Sequence, residues 1–241
     1  MENLCENYLL DKKVKIYQPR NGYHASSDAV WLAAAIKKVK KGDKILDVGA
    51  GTGAISLCLA ERFADKNILI KGIEIQEELA NAATESAKDN GFDFVEFFRQ
   101  NIFDTTFENC SFDHVITNPP YALDDMASPN VSKATAHNFQ FEDLGKWIDF
   151  CIKKIKPQGM FYIINRAEAM EDIIAKIHGK LGNIEVFPIY SKKGQDAKRV
   201  IIRAKKDSKT PLCIHEGIVV HNNNGSYTEF SENILRKGRC L

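Results

Sequence analysis

The sequence has no run approaching the roughly 18 apolar residues of a membrane-spanning helix. It also has no charged-then-apolar export signal at its start, so neither a membrane span nor secretion is expected. Six cysteines (Cys5, Cys58, Cys110, Cys151, Cys213 and Cys240) are scattered without a Cys-x-x-Cys pair. That spacing argues against zinc, leaves no metal expected, and suits reduced thiols in a cytoplasmic protein. Lysine and arginine nearly balance the acids, for a net charge of +1, so any nucleic-acid contact must be a local patch. No internal repeat, low-complexity tract or obligate protein partner is evident. What remains is 241 residues, 44% hydrophobic, enough for one large domain with a proper core and appendages.

The chain is organised around Lys44-Ile45-Leu46-Asp47-Val48-Gly49-Ala50-Gly51-Thr52-Gly53. Ile45, Leu46 and Val48 suit a strand covered on both faces by helices. Gly49, Gly51 and Gly53 allow a tight turn whose bare backbone a ligand can approach. A helix from about Thr52 would aim its N–H groups at that ligand. Gly49-x-Gly51-x-x-Ala54 also fits the loose dinucleotide fingerprint, with Glu74 as an acidic ribose partner about 20 residues on. Asp47 favours a different nucleotide. An acid at the strand end would repel a pyrophosphate but attract the ammonium of a methionine moiety.

Taken in order, Lys13 to Gln18 alternates as a half-exposed strand. Ser27 suits an N-cap for a helix from Asp28 to about Lys38, lying across the ligand mouth or covering the sheet edge. Strands are expected at Ile68–Ile75, Phe94–Phe98, Phe112–Thr117 and Met160–Ile164. Helices are expected at Glu78–Lys88, Phe141–Ile155 and Glu168–Leu181. Ile184–Tyr190 and Arg199–Ala204 are joined by too few residues for a crossover helix, so they must be antiparallel neighbours. The expected fold is α/β: a doubly wound, Rossmann-like, seven-stranded and mostly parallel sheet closed by an antiparallel terminal hairpin. Residues 1–40 form an N-terminal strand and helix covering the mouth, 41–207 the main domain, and 208–241 an appendage packed on the sheet.

Asn118-Pro119-Pro120-Tyr121 follows the fourth strand. Two prolines stop the ladder and stiffen the exit, and Pro119 holds Asn118 extended. In open α/β sheets this edge is where ligands bind. Tyr121 offers a flat face for a planar group. The set suits methyl transfer to a planar amine, with the Asn118 side-chain oxygen and the Pro119 carbonyl accepting the two N–H hydrogens. A plain strand-terminating turn is the structural alternative.

Together the two motifs resemble the class I S-adenosylmethionine-dependent amino-methyltransferases that carry Asn-Pro-Pro-Tyr. These modify adenine N6, guanine N2 or a glutamine amide. Over nearly the full length the chain is similar to the bacterial tRNA1(Val) (adenine(37)-N6)-methyltransferase family. The likeness runs through the Gly22-to-Val30 entry, the glycine loop, Asn118 to Tyr121 and Lys198-Arg199-Val200. The resemblance implies S-adenosylmethionine as cofactor and no metal. It implies that Asp47 and the Gly49 backbone hold the methionine end, with Gly51 and Gly53 completing the loop. Glu74 would bind the ribose hydroxyls, Asn101 and Ile102 would flank the adenine, Ser27 and Asp28 would reach the carboxylate or sulfonium region, and Ile75 and Asn118 would be further cofactor-binding residues. Such families usually have aspartate where Asn101 stands, which implies weakened adenine selectivity.

Only 43 residues precede Lys44, too few for the helical substrate domain of glutamine-methylating relatives. No large target-recognition region of the DNA-modifying kind is visible. A structured RNA is therefore the expected partner, with N6 of a tRNA adenine as its target. A protein glutamine, an rRNA guanine N2 or a DNA adenine N6 is the alternative. Lys192, Lys193, Lys198, Arg199, Arg203, Lys205 and Lys206 could grip phosphates from a protruding hairpin, or merely keep an edge strand soluble. The loop from Ala122 to Asn138, with Lys133 and His137, could close over a flipped base.

Overall fold

The computed structural model describes residues 3–21, 24–120 and 141–241. The chain opens with an antiparallel hairpin, β1 (Leu4–Leu9) and β2 (Val14–Pro19). Helix α1 (Ser27–Ala34) follows. The main sheet then starts with β3 (Lys44–Val48), α2 (Ala54–Arg62), β4 (Leu69–Glu74), α3 (Glu77–Asp89), β5 (Val95–Arg99) and β6 (Phe112–Thr117). Beyond residue 140 come α4 (Phe141–Lys154), β7 (Ile155–Arg166), α5 (Met170–Ile177), β8 (Leu181–Lys192) and β9 (Ala197–Lys206). Two short strands, β10 (Cys213–Ile214) and β11 (Ile218–His221), and α6 (Glu229–Leu235) end the chain.

Among the described residues nine strands form one sheet, ordered β10-β8-β9-β7-β6-β3-β4-β5, with β11 also on β8. The seven strands β5-β4-β3-β6-β7-β9-β8 are mostly parallel, and β9 runs against both its neighbours. The doubly wound sheet with its antiparallel hairpin is therefore present. The C-terminal segment does more than pack on it. Both β10 and β11 pair in parallel along the outer edge of β8, so the sheet ends there on two short strands instead of one long one.

Alternation along each strand feeds two cores. On one face Ile45, Ile116, Ile164 and Ile201 join the buried side of α1, α2 and α6. On the other, Leu46, Val48, Val115, Ile163 and Ile202 join Leu144, Ile148 and Cys151 of α4 and Ile173 and Ile177 of α5. Strands buried on both faces need continuous apolar runs, and these strands have them.

Several boundaries differ from expectation for identifiable reasons. Strand β1 follows no clean alternation and is held by its pairing with β2. The outer backbone of β2 is satisfied by α3 side chains: Tyr17 N donates to Ser86 Oγ (2.8 Å) and Lys15 N to Asn90 Oδ1 (2.9 Å). Ser26, not Ser27, caps α1 by accepting from Asp28 N. Strand β7 starts at Ile155 and not at Met160, because Pro157-Gln158-Gly159 forms a bulge inside it, where the register with β6 jumps between Phe112–Ile155 and His114–Met160. Helix α5 is only eight residues long, because a 3₁₀ turn at Ala167–Ala169 takes up its expected start and His178, at ψ 135°, ends it before β8 begins at Leu181. Helix α2 begins at Ala54, with Gly53 in its left-handed N-cap at φ 82°.

A Cβ built on Gly53 would lie 2.7 Å from Phe97 Cζ and 3.0 Å from Ala83 Cβ. Gly53→Ala therefore combines overpacking with a left-handed L-residue and should cost about 2–4 kcal/mol in urea denaturation. A midpoint equal to wild type would show that Phe97 yields freely.

Candidate active site

Strands β3, β4, β6 and β7 all point their C-terminal ends at one edge of the sheet, and the site is assembled there. Val48 is level with Thr117 in the β3–β6 register. The next residues, Gly49 and Asn118, therefore leave their strands side by side. Thr117 Oγ1 donates to the Val48 carbonyl (2.8 Å) and accepts from Trp147 Nε1 of α4 (2.8 Å). The Trp147 ring covers Gly49 so closely that a Cβ there would sit 2.8 Å from Cζ2. Periodicity alone makes Trp147 a core residue of α4. Its indole N–H bond to the strand end left no signal in the sequence.

The glycine loop is folded over β4. The N–H groups of Gly49 and Ala50 both donate to the Ile73 carbonyl at 2.9 Å. Gly49 (φ 75°) and Gly51 (φ 57°) occupy left-handed conformations. Gly51 N donates to Glu74 Oε2 (2.9 Å), and Gln76 N donates to Oε1 (2.8 Å). Burial pushes the Glu74 carboxyl above its usual range, opposed by these backbone donors. Glycine at position 53 is explained by packing against Phe97 and Ala83, whereas at 49 and 51 it shapes the loop.

Asp47 is fully buried. Its Oδ2 accepts from Ser56 Oγ (2.8 Å), while Oδ1 has no partner among the described residues. Thr52 Oγ1, in the loop rather than in the helix, is likewise buried without a partner. Burial raises the Asp47 carboxyl to about 7, with Ser56 pulling it down and Glu74 adding a smaller upward push.

At the β5 side, Gln100 N donates to the Glu74 carbonyl. Asn101 Oδ1 accepts from Phe103 N (3.0 Å), so its side-chain oxygen is already engaged within the loop. Ile102 is buried in the core cluster of Val48 and Ile73. The apolar side chains exposed here are Ile75 (53%) and Phe103 (57%). Phe103 was not legible as a site residue, because an Ile-Phe pair after a strand reads as core.

Asn118 and Pro120 are half-buried and Pro119 is buried. Tyr121 lies outside the described residues, as do Gly22 and Tyr23 of the entry segment and the loop carrying Lys133 and His137. Ser27 is exposed, and Asp28 is buried and accepts from Arg199 Nε (2.9 Å) of β9. That ion pair ties the start of α1 to the sheet and takes Arg199 into the structure. Other members of the basic cluster also separate. Arg203 grips Glu185 with Nε at 2.5 Å and Nη2 at 2.6 Å, and its guanidinium lies over Phe187. Lys206 Nζ donates to the carbonyls of Ile152 and Ile155, on the opposite face at the end of α4. Lys205 is level with Met160, far from the Asn118 edge. Only Lys192, Lys193 and Lys198 stand around the hairpin tip. Since Arg199 is level with Arg166 at the end of β7, that tip lies on the same edge as Asn118.

A sequence family described as "Methyltransferase domain" matches residues 39–205. The chain belongs to this methyltransferase family. The methyltransferase is 28% identical over 225 residues to a protein from Phocaeicola vulgatus named tRNA1(Val) (adenine(37)-N6)-methyltransferase, covering 92% of this chain and 93% of the relative. Among solved structures, a predicted O-methyltransferase from Agrobacterium tumefaciens superposes with a TM-score of 0.72 at 25% identity, covering 89% of this chain and 98% of that one. M. jannaschii TYW2, solved in complex with AdoMet, superposes at 0.59 with 15% identity, covering 84% and 85%. In this methyltransferase no helix among the described residues is long and apolar enough to cross a membrane.

The raised Asp47 carboxyl means that the folded state keeps a proton the unfolded chain has released. That contribution is complete below the ordinary value of 3.8 and is lost as pH rises through about 7. Asp47→Asn removes the titration. Its stability relative to wild type should therefore rise by roughly 2–3 kcal/mol between pH 5 and pH 8 in urea titrations. An equal difference at both pH values would show that Asp47 does not titrate there.

Proposed function

We propose that this methyltransferase moves a methyl group from S-adenosylmethionine to the N6 amine of an adenine in tRNA. The observation that carries the reading is the strand register that sets Asn118-Pro119-Pro120 directly beside Gly49. The residues present fit the donor. Two left-handed glycines turn the loop back over β4, Glu74 stands at the loop, Asp47 Oδ1 is buried with no partner among the described residues, and Ile75 and Phe103 expose apolar surface nearby. In this reading Asp47 and Gly49 hold the methionine end, with Gly51 and Thr52 lining the turn. Glu74 takes the ribose hydroxyls, and Ile75, Asn101 and Phe103 border the adenine while Ile102 supports them from the core. Asp28 anchors α1 through Arg199, leaving Ser27 as the hydroxyl exposed at that helix start.

The donor supplies an electrophilic methyl carbon; the chain supplies position. An exocyclic amine is a sluggish nucleophile because its lone pair is delocalised into the ring. Asn118 Oδ1 and the Pro119 carbonyl accept its two N–H groups and fix the direction of the remaining lone pair. Pro119 and Pro120 keep those acceptors from swinging, so alignment supplies most of the rate. Tyr121 gives the base a face to stack on. Once the nitrogen has become cationic its proton passes to water, and S-adenosylhomocysteine is the second product.

The name of the Phocaeicola vulgatus relative supports tRNA as the partner, and that substrate supports a cytoplasmic site of action. Lys192, Lys193 and Lys198 are the cations suited to grip phosphates there. Lys193 and Lys198 are exposed and make no ion pair among the described residues.

Labelled methyl transfer into a tRNA1(Val) transcript, rRNA, DNA and protein, followed by nucleoside mass spectrometry, tests the reading. N6-methyladenosine in tRNA is expected, and label confined to any other acceptor overturns it. Asn118→Ala should lower turnover at least a hundredfold with donor affinity within about twofold, since it removes an interaction that aligns only the acceptor. Retained turnover would mean something else holds the amine. Lys193→Glu combined with Lys198→Glu should weaken tRNA binding about tenfold at 0.1 M salt and flatten its salt dependence. Unchanged affinity would remove the hairpin from the interface.

A further inference from the structure

The C-terminal segment ends its sheet pairing at the same edge. His221 of β11 is level with Lys192, the last residue of β8. The chain then turns tightly through Asn222 to Gly225, with Gly225 N donating to Asn222 O and Asn222 N to Ser226 O. Asn222 Nδ2 adds bonds to Ser226 Oγ and to the Tyr227 carbonyl, both at 3.0 Å. This turn brings Tyr227 back over His221, their rings stacked at 4.8 Å and 22°. Tyr227 remains 36% exposed despite that partner. Lys192 Nζ reaches the Asn223 carbonyl (3.4 Å), which ties the turn to the lysine hairpin.

An exposed tyrosine ring backed by a half-buried histidine and held beside cations is the composition of a stacking platform for an unpaired base, with the lysines taking the flanking phosphates. From β6 to β11 the edge crosses β7, β9 and β8, about 19 Å at the usual strand spacing. That distance fits one folded RNA loop reaching both ends. We propose that the His221–Tyr227 corner is a second RNA contact, which stacks an unpaired base of the same tRNA loop whose adenine enters at Asn118. The inference rests on the tRNA reading above. A protein partner offering acidic groups to the lysines would use the same charges but would not need the ring.

Fluorescence anisotropy with the tRNA1(Val) transcript and the full-length protein tests it. Tyr227→Ala should weaken binding and raise the RNA KM about tenfold, with kcat at saturating RNA changed less than twofold. Tyr227→Phe, which keeps the ring, should bind within twofold of wild type. The slope of affinity against salt should be unchanged in both, because stacking releases no counterions, whereas loss of Lys193 and Lys198 flattens it. Ultraviolet cross-linking of the wild-type complex should map to residues 221–227. Wild-type affinity in Tyr227→Ala, equal weakening by Ala and Phe, or cross-links elsewhere would overturn the platform. If the unaltered protein methylates the transcript and Tyr227→Ala matches it, only this inference fails. If the unaltered protein neither binds nor methylates RNA, the tRNA reading fails as well.

Discussion

A buried hydroxyl holds the two halves of this site together. The Thr117 hydroxyl donates a hydrogen bond to the Val48 carbonyl and accepts one from the Trp147 indole, so the ends of β3 and β6 and the flank of α4 meet at one atom. Such a bond contributes only about 1 kcal/mol net, but leaving the partners buried and unpaired costs more. The consequence is geometric. Gly49, which opens the nucleotide loop, and Asn118, which begins the stiff proline exit, are fixed on neighbouring strands. Trp147 lying on Gly49 makes that glycine obligatory, since a side chain would meet the indole before it met any ligand.

The antiparallel strand extends the logic across the sheet. Because β9 runs against β7 and β8, the turn joining it to β8 lands on the same edge as the parallel strand ends. Lysines that would otherwise decorate a remote hairpin therefore stand beside the site. The parallel pairing of β11 with β8 brings His221 and Tyr227 to that edge too. Arg199 does different work: its ion pair with Asp28 ties the start of α1 to β9.

Sequence reading recovered β3 and β6 because each is an apolar run cut off by glycine or proline. Val48 before Gly49 and Thr117 before Asn118 were visible for that reason. What it could not reach depended on contacts distant in the chain. The hydrophobic pattern of β1 is weak, and its partner lies across a turn. The bulge at Gln158 reads as a turn until β6 pairs on both sides of it. The seven basic residues of the hairpin region looked like one patch, but β9 sends Arg203 and Lys206 to opposite faces, where Glu185 and the end of α4 take them. Trp147 and Phe103 carried no local signal that distinguished a site residue from core.

The most direct test of the central claim is a crystal structure with S-adenosylhomocysteine and an adenosine-containing RNA loop. The predicted result has the adenine amino group donating to both Asn118 Oδ1 and the Pro119 carbonyl, with its nitrogen facing the sulfur beside Gly49. An adenine bound away from Gly49, with the Asn118 amide turned from it, would contradict the account.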